Sequence, residues 1–474
     1  MSLTVLPHRS GPREVIAPSA AVLSRFEVPG PRYTSYPTAD RFVEAFGADA
    51  YGEALRERAA AVGARQAPLS VYVHVPFCES LCYYCACNKI ITRHRERAVE
   101  YLDHLERELA LQSAQLGYGA PVSQLHLGGG TPTFLDDAGL ARLMAALRGA
   151  FSFAPDGEYA IEVDPRTVDA ARLAHLAALG FNRLSFGVQD FDPAVQKAVH
   201  RLQPAQQVFD LVGHARALGF ASINTDLIYG LPLQTVASFD RTLAQVCELR
   251  PDRIALYAYA HLPERFKPQR RIATNDLPEG IAKVEMLARS IAALTAAGYV
   301  YIGMDHFALP DDPLAVAKRQ GRLHRSFQGY SPQPDGDILA LGVSAIGRIG
   351  ATYSQNAKTL AEYYDLLGQG RLPVVRGLAL SREDVLRRAT IMALMCQGRL
   401  DFEAIGLAHL TDARRHFAAE LAALEPLQAQ GLVQLTDQAI EVTPTGWFFV
   451  RAIAMVFDRY LQADRNRTRF SRIV

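Results

Sequence analysis

Between Val71 and about Gly298 the chain passes six times through a short β-rich run followed by a longer amphipathic helical stretch, and few folds accept that rhythm. Repeated βα units build a parallel sheet with helices packed against it. The runs are VYVHV at 71–75, QLHLGG at 124–129, YAIEVD at 159–164, RLSFGV at 183–188, INTDLI at 223–228 and RIALYAY at 253–259, each followed by a stretch rich in Ala, Leu and Arg. Six units are too few for the eight-stranded closed barrel. In such folds the chemistry gathers at the C-terminal ends of the strands. Those ends carry the segment from Cys78 to Cys87, then Gly128-Gly129-Gly130-Thr131-Pro132, Glu162, Gln189, Asp226 and the stretch from Tyr257 to Ala260.

Four of the six cysteines lie in one ten-residue stretch after the first strand, as Cys-x3-Cys-x2-Cys-x-Cys at Cys78, Cys82, Cys85 and Cys87. Thiolates this close can converge on one inorganic centre, and soft sulfur ligands favour zinc or an iron–sulfur cluster. Structural zinc usually takes two short-spaced pairs separated by a dozen or more residues, and no second pair follows here. The residues themselves leave zinc, an electron-transfer cluster and a cluster with one open iron as alternatives. The last differs in its chemistry, because a fully ligated cluster only passes electrons whereas a vacant corner binds donor atoms of another molecule. Cys85 and Cys87 are separated by one residue and do not easily reach separate irons of one cube, so Cys87 is expected not to be a ligand.

Polar residues at strand ends often cap the next helix or close a turn, and Glu162, Gln189 and Asp226 each admit that reading when taken singly. Together they offer two carboxylates and an amide that donates and accepts, and Arg201 in HRLQP offers a partner for a carboxylate. A glycine run lets backbone groups approach a ligand with no Cβ in the way. Asp305 and His306 are expected to make structural hydrogen bonds, since no His/Cys cluster accompanies them.

VYVHVPFCESLCYYCACNKIITR, residues 71–93, resembles the cluster loop of the radical S-adenosylmethionine (SAM) enzymes. His74, Pro76, Phe77, Asn88 and Lys89 within it are similar to one branch of that superfamily, the oxygen-independent coproporphyrinogen III oxidases. So are PRYTSYPT at 31–38, DHFALP at 305–310, HRSFQGYS at 324–331 and LALGVSAIGRIG at 339–350. The resemblance implies an α/β fold built on an incomplete, laterally open (β/α)6 barrel, whose open side admits a large substrate. It also implies a 4Fe–4S cluster held by Cys78, Cys82 and Cys85, with SAM on the fourth iron. Two SAM molecules per active site follow from it: Tyr72, Gly129, Glu162, Ala260 and Ile346 serve the first, and Tyr84, Gly130, Thr131, Gln189, Arg201 and Asp226 the second. Tyr72 and Arg201 carry over as catalytic residues, and Phe327 and Gln328 as part of the cofactor pocket.

In that branch the reduced cluster splits SAM to methionine and a 5′-deoxyadenosyl radical, which takes a β-hydrogen from a propionate. Loss of carbon dioxide and one electron leaves a vinyl group, and repetition on rings A and B converts coproporphyrinogen III to protoporphyrinogen IX. An electron donor such as flavodoxin or ferredoxin is implied, and a monomer is expected. Pro31–Asp40 (PRYTSYPTAD) read alone is a surface turn packing its tyrosines; the resemblance instead gives Arg32, Tyr33 and Tyr36 a substrate-covering role. Two rivals share parts of this pattern: a haem-binding chaperone of the same superfamily and a radical SAM methyltransferase. PRYTSYPT counts against both, and Cys87 against the chaperone.

Composition narrows the partners. With 49% hydrophobic residues, 21% charged residues and a net charge of +1 over 474 residues, the balance is that of a soluble globular protein and points to neither nucleic acid nor membrane. The first twenty residues lack the apolar core of a signal peptide and no run of about 18 apolar residues occurs, so a cytoplasmic location is expected. Cys247 and Cys396, in apolar helical surroundings, are expected as inert thiols. The expected domains are an N-terminal segment covering the active site (1–66), with a helix from about Val43 to Val62, the barrel (67–350), and a helix-rich, winged-helix-like C-terminal domain (351–474) with a hairpin at 431–447. A DNA-binding reading of that last domain is set aside, since no basic cluster marks its presumed recognition helix.

Overall fold

The β-rich runs become six parallel strands: β1 (Leu69–Val75), β2 (Ala120–Gly129), β3 (Phe151–Val163), β4 (Arg183–Gln189), β5 (Ser222–Tyr229) and β6 (Arg253–Ala258). A computed structural model describes residues 23, 26, 29–61 and 67–463. Each strand leads into helix, from Glu96–Leu116 after β1 to Gly280–Ala296 after β6. One face of each strand is apolar because side chains alternate across a sheet. Val71, Val73, Leu125, Leu127, Ile161, Leu184, Phe186, Ile223, Leu227, Ile254 and Leu256 are buried in one core with the helices' apolar faces. Burying such a side chain contributes about 1.5–3 kcal/mol.

Six further strands flank these: β7 (Val300–Gly303), β8 (His306–Ala308), β9 (Ile338–Leu341), β10 (Ile346–Ile349), β11 (Thr352–Asn356) and β12 (Val374–Ala379). The sheet runs β12-β11-β10-β9-β1-β2-β3-β4-β5-β6-β8-β7, so its two edge strands do not meet and the barrel stays open. β9 pairs in parallel with β1, while β8 is antiparallel to β6 and β10 to β9.

Three local readings shift. β3 begins at Phe151 rather than 159, because a register irregularity between Val122 and Gln124 lets the turn-like APDG stay within the strand. The N-terminal helix covers Ala48–Ala60, since Val43 instead bridges to Gly377 and Gly47 takes the N-cap; Val62 lies outside the described residues. β11 and β12, expected in the C-terminal domain, belong to the main sheet, so the helical unit starts after Ala379.

That unit contains helices Arg382–Gln397, Phe402–His409 and Ala418–Ala429 and a three-stranded antiparallel sheet of Arg399–Asp401, Val433–Leu435 and Ala439–Val442, the last two being the expected hairpin. Leu386, Ile391, Leu394, Phe417, Leu424, Ile440 and Phe457 of this unit form a second core together with Ile302 of β7 and Ala308 of β8. The basic residues at 465–472 lie outside the described residues. No helix among the described residues is long and apolar enough to cross a membrane.

Candidate active site

The strand faces turned away from the helices are polar. Tyr72 and His74 of β1, Gln124 and His126 of β2, Glu158 and Glu162 of β3, Arg183 and Ser185 of β4, Asn224 and Asp226 of β5, and Arg253 and Tyr257 of β6 all line one cavity of ≈ 520 Å³. These are alternate positions on each strand, so the period-two rule that buries the valines and leucines outside delivers the polar set inside. The volume suits a small-molecule ligand. Neighbours in the wall are joined: the Tyr72 hydroxyl lies 3.0 Å from His74 Nδ1, and its ring stacks on His126 at 5.9 Å. His126 Nε2 lies 3.1 Å from Glu162 Oε1, and the Gly129 N–H donates to Glu162 Oε2 at 3.1 Å.

The strand-end residues do not cap the following helices. Asp164 accepts from the Arg166 N–H, Asp169 from Arg172, Asp192 from Ala194 and Val195, and Thr235 forms a capping box with Ser238. With these residues supplying the caps, Glu162, Gln189 and Asp226 are left to other contacts.

The cysteine segment is closed at its neck by two short parallel strands, Phe77–Cys78 and Ile90–Ile91. The Cys85 N–H donates to the Cys82 carbonyl at 3.2 Å, turning the chain between them. The glycine run holds this loop against the sheet: the N–H of Gly130 donates to Val75 and that of Thr131 to Phe77, both at 2.8 Å. A Cβ at Gly130 would stand 2.6 Å from the Pro76 carbonyl oxygen, and one at Gly129, with φ +118°, 2.7 Å from the His74 ring. Both glycines are therefore demanded by the close approach of the loop and of His74.

All four thiols of the segment are free. Donors surround the ones expected to hold a cluster. Thr131 Oγ1 donates to Cys78 Sγ at 3.4 Å, Arg201 Nη1 to Cys82 Sγ at 3.4 Å, and Arg166 Nη2 to Cys82 Sγ at 3.6 Å. Burial pushes the Cys78 thiol up to about 11. Cys85 is pulled down to about 6 by its hydrogen bond with Cys87 and, against the opposing effect of burial, by the charge of Lys89. Hydrogen bonds and positive charge at sulfur stabilise metal-bound thiolates, so the residues fit a cluster carried on three cysteines. Among the described residues no three His, Cys, Asp or Glu side chains are grouped to hold a single metal ion, whereas a cube's thiolates each reach a different iron.

The expected site residues fall into two groups. Tyr72, Gly129, Glu162, Asp226 and Ile346 line the cavity, together with Phe327, Gln328 and Cys87. Tyr84, Thr131, Gln189 and Arg201 gather around the cysteine segment and β4. Arg201 is buried, pairs with Asp164 at 3.2 Å and donates to the Gly187 carbonyl at 2.6 Å. Tyr84 lies beside it. Gln189 has φ +68° and a buried Oε1 without a hydrogen-bond partner. Ala260 is not in the cavity wall; Gln269 Nε2 links its carbonyl to that of Tyr84, at 3.2 and 3.0 Å. Of the covering loop, Arg32 reaches the cavity, pairing with Asp305 at 2.9 Å over the Tyr257 ring, whereas Tyr33 and Tyr36 are buried in the C-terminal core.

Asp305 and His306 do make structural bonds, with Arg32 and, from Nδ1, with the Met304 carbonyl at 2.7 Å. His306 nevertheless faces the cavity. Cys247 and Cys396 are free, and burial raises both, Cys396 to about 12. Strand ends alone missed His74, His126, Asp164 and Arg325, while Tyr257, which begins the stretch expected after β6, does line the cavity. Reading every second residue along each strand would have found His74 and His126.

The comparisons with known proteins agree with this geometry. A family model described as the radical SAM superfamily matches residues 72–246, and one described as the HemN C-terminal domain matches 380–449. The oxygen-independent coproporphyrinogen III oxidase of Escherichia coli K12 is 49% identical over 96% of this chain and 98% of its own length. That of Pseudomonas aeruginosa is also 49% identical, with the same coverage. The solved structure described as coproporphyrinogen III oxidase (HemN) from Escherichia coli, a radical SAM enzyme, superposes with a TM-score of 0.89 at 48% identity, covering 94% of this chain and all of that one. Open sheet, thiol loop and near-full-length identity together place the chain in the oxygen-independent coproporphyrinogen III oxidase family of radical SAM enzymes.

Proposed function

We propose that this protein converts the ring A and B propionates of coproporphyrinogen III to vinyl groups without oxygen, giving protoporphyrinogen IX for haem synthesis. Each conversion removes one β-hydrogen atom and one further electron as carbon dioxide leaves. The observation that carries the reading is the three-thiol loop, with donors at Cys78 and Cys82, beside a polar-walled cavity, in a chain 49% identical to oxidases of this name.

Cys78, Cys82 and Cys85 would hold the 4Fe–4S cluster, and Cys87 would not. With SAM bound, that cluster supplies one-electron, hydrogen-abstracting chemistry. Thr131 and Arg201 hold the thiols by hydrogen bonds, Arg201 acting as a positioning residue fixed by Asp164 and the Gly187 carbonyl. Tyr72, Gly129, Glu162, Ala260 and Ile346 would serve one SAM, and Tyr84, Gly130, Thr131, Gln189, Arg201 and Asp226 a second. The separation of polar groups into a cavity set and a set behind the cysteine segment favours two sites, although Ala260 and Asp226 sit nearer the opposite set. The protein would act as a monomer and draw electrons from a flavodoxin- or ferredoxin-like donor.

The test is anaerobic turnover of coproporphyrinogen III by reconstituted protein with SAM and a reductant. Cys78→Ser, Cys82→Ser and Cys85→Ser should each lose the cluster spectrum and all vinyl product, while Cys87→Ser keeps wild-type iron content. Normal activity in any of the first three, or lost iron in the fourth, would overturn the assignment.

A further inference from the structure

We infer that Arg325, with Arg32 beside it, forms a seat for a carboxylate of the bound substrate on the cavity wall built by the hairpin His324–Ser326 and Gly329–Ser331. Four guanidinium groups line the cavity: Arg32, Arg183, Arg253 and Arg325. Three are already matched. Arg183 pairs with Glu158, Arg253 with Asp312 at 2.8 Å, and Arg32 with Asp305 at 2.9 Å. Arg325 has no ion-pair partner among the described residues, though it is only 4% exposed. Its Nε donates to the Arg32 carbonyl at 3.2 Å, its guanidinium carbon lies 4.6 Å from the centre of the Tyr330 ring, and its Nη1 is buried without a hydrogen-bond partner.

A buried, unmatched cation is unfavourable unless an anion meets it. Among the described residues no carboxylate forms an ion pair with Arg325. His306 is held neutral, pushed down to about 3 by burial and then by the charge of Arg325. Arg451, buried close by and donating to the Pro31 carbonyl at 2.9 Å, adds positive charge to the same corner. Gln328 of the hairpin carries both amide atoms buried without partners, a further complement for a polar ligand. A guanidinium fork matches a carboxylate in two parallel hydrogen bonds, and the Tyr330 ring beneath it helps hold the cation in place. This inference rests on the proposed porphyrinogen substrate, whose propionates are the carboxylates in question; the carboxylate of SAM is the other source of the same chemistry.

The experiment measures binding of coproporphyrin III and of its tetramethyl ester by fluorescence, and of SAM separately, to reconstituted wild type, Arg325→Gln and Arg325→Lys. Arg325→Gln should weaken the tetra-acid by roughly 10- to 100-fold, with ester and SAM affinities unchanged and Arg325→Lys intermediate. Unchanged tetra-acid binding, equal loss of acid and ester, or loss of SAM affinity with the acid retained would each overturn the seat. Wild type that binds neither porphyrin would overturn the proposed substrate and the seat with it.

Discussion

Asp226 shows how one carboxyl in the wall can set a pH dependence. Desolvation in the cavity, then the nearby charge of Glu162, pushes it up to about 7, against hydrogen bonds from Asn224 at 2.9 Å and Ser185 at 3.4 Å. An acid whose folded-state pKa is raised contributes stability that is complete below its unfolded value, about 4, and is lost as pH rises through the folded one. Asp226 should therefore contribute a fall in the thermal midpoint of the protein without SAM between about pH 4 and pH 7, against the rise contributed over much of that window by His306, which burial pushes down to about 3. Glu108, also pushed up to about 7 by burial, acts over the same window. Asp226→Asn should remove that contribution, so that the midpoint falls less, or rises more, across the window than in the wild type; an unchanged slope would show that the carboxyl ionises freely.

Glu108 ties separate elements together. It sits on the helix Glu96–Leu116 and is fully buried. Its carboxylate accepts from Gln112 Nε2 at 3.0 Å, the Gly342 N–H at 2.7 Å, Asn356 Nδ2 at 2.6 Å and the Tyr363 hydroxyl at 2.5 Å. One side chain thus joins the first barrel helix to the turn after β9, to β11 and to the helix Leu360–Gly368. Glu108→Ala leaves four donors buried and should cost about 3–5 kcal/mol in urea unfolding. Tyr363→Phe removes one donor and should cost about 1–2 kcal/mol. Equal losses for the two variants would mean that the site relaxes or takes in water.

The covering loop is anchored in the core that the C-terminal unit contributes to. Tyr36 is fully buried with its ring 6.0 Å from that of Tyr460, and the Tyr33 hydroxyl donates to Asp458 at 3.0 Å. Tyr36→Ala should destabilise the protein by about 3–5 kcal/mol through the void it opens. Removing Met1–Asp40 should spare the cluster and abolish porphyrinogen turnover, and it should also lower the melting temperature. Arg32→Ala, which vacates the cavity wall but no core, should impair turnover with a near-normal melting temperature. A truncated protein of normal activity would leave the loop a purely structural strap.

The six strands, the cysteine spacing and the glycine run were readable in the chain because each is a local pattern: period two along a strand, short gaps between thiols, three residues lacking Cβ. The resemblance of those patterns and of PRYTSYPT to one enzyme family carried the functional expectation further than periodicity could. What they could not reveal depends on pairs far apart in sequence. Arg32 meets Asp305 across 273 positions and Asn356 meets Glu108 across 248. Ala260 lies outside the cavity wall while Asp226 lies within it, because loop packing after β6 and side-chain alternation along β5 decide which residues point inward. Arg325 reads in sequence like any other arginine. Its importance arises from the carboxylates that folding brings to Arg32, Arg183 and Arg253 and leaves away from it.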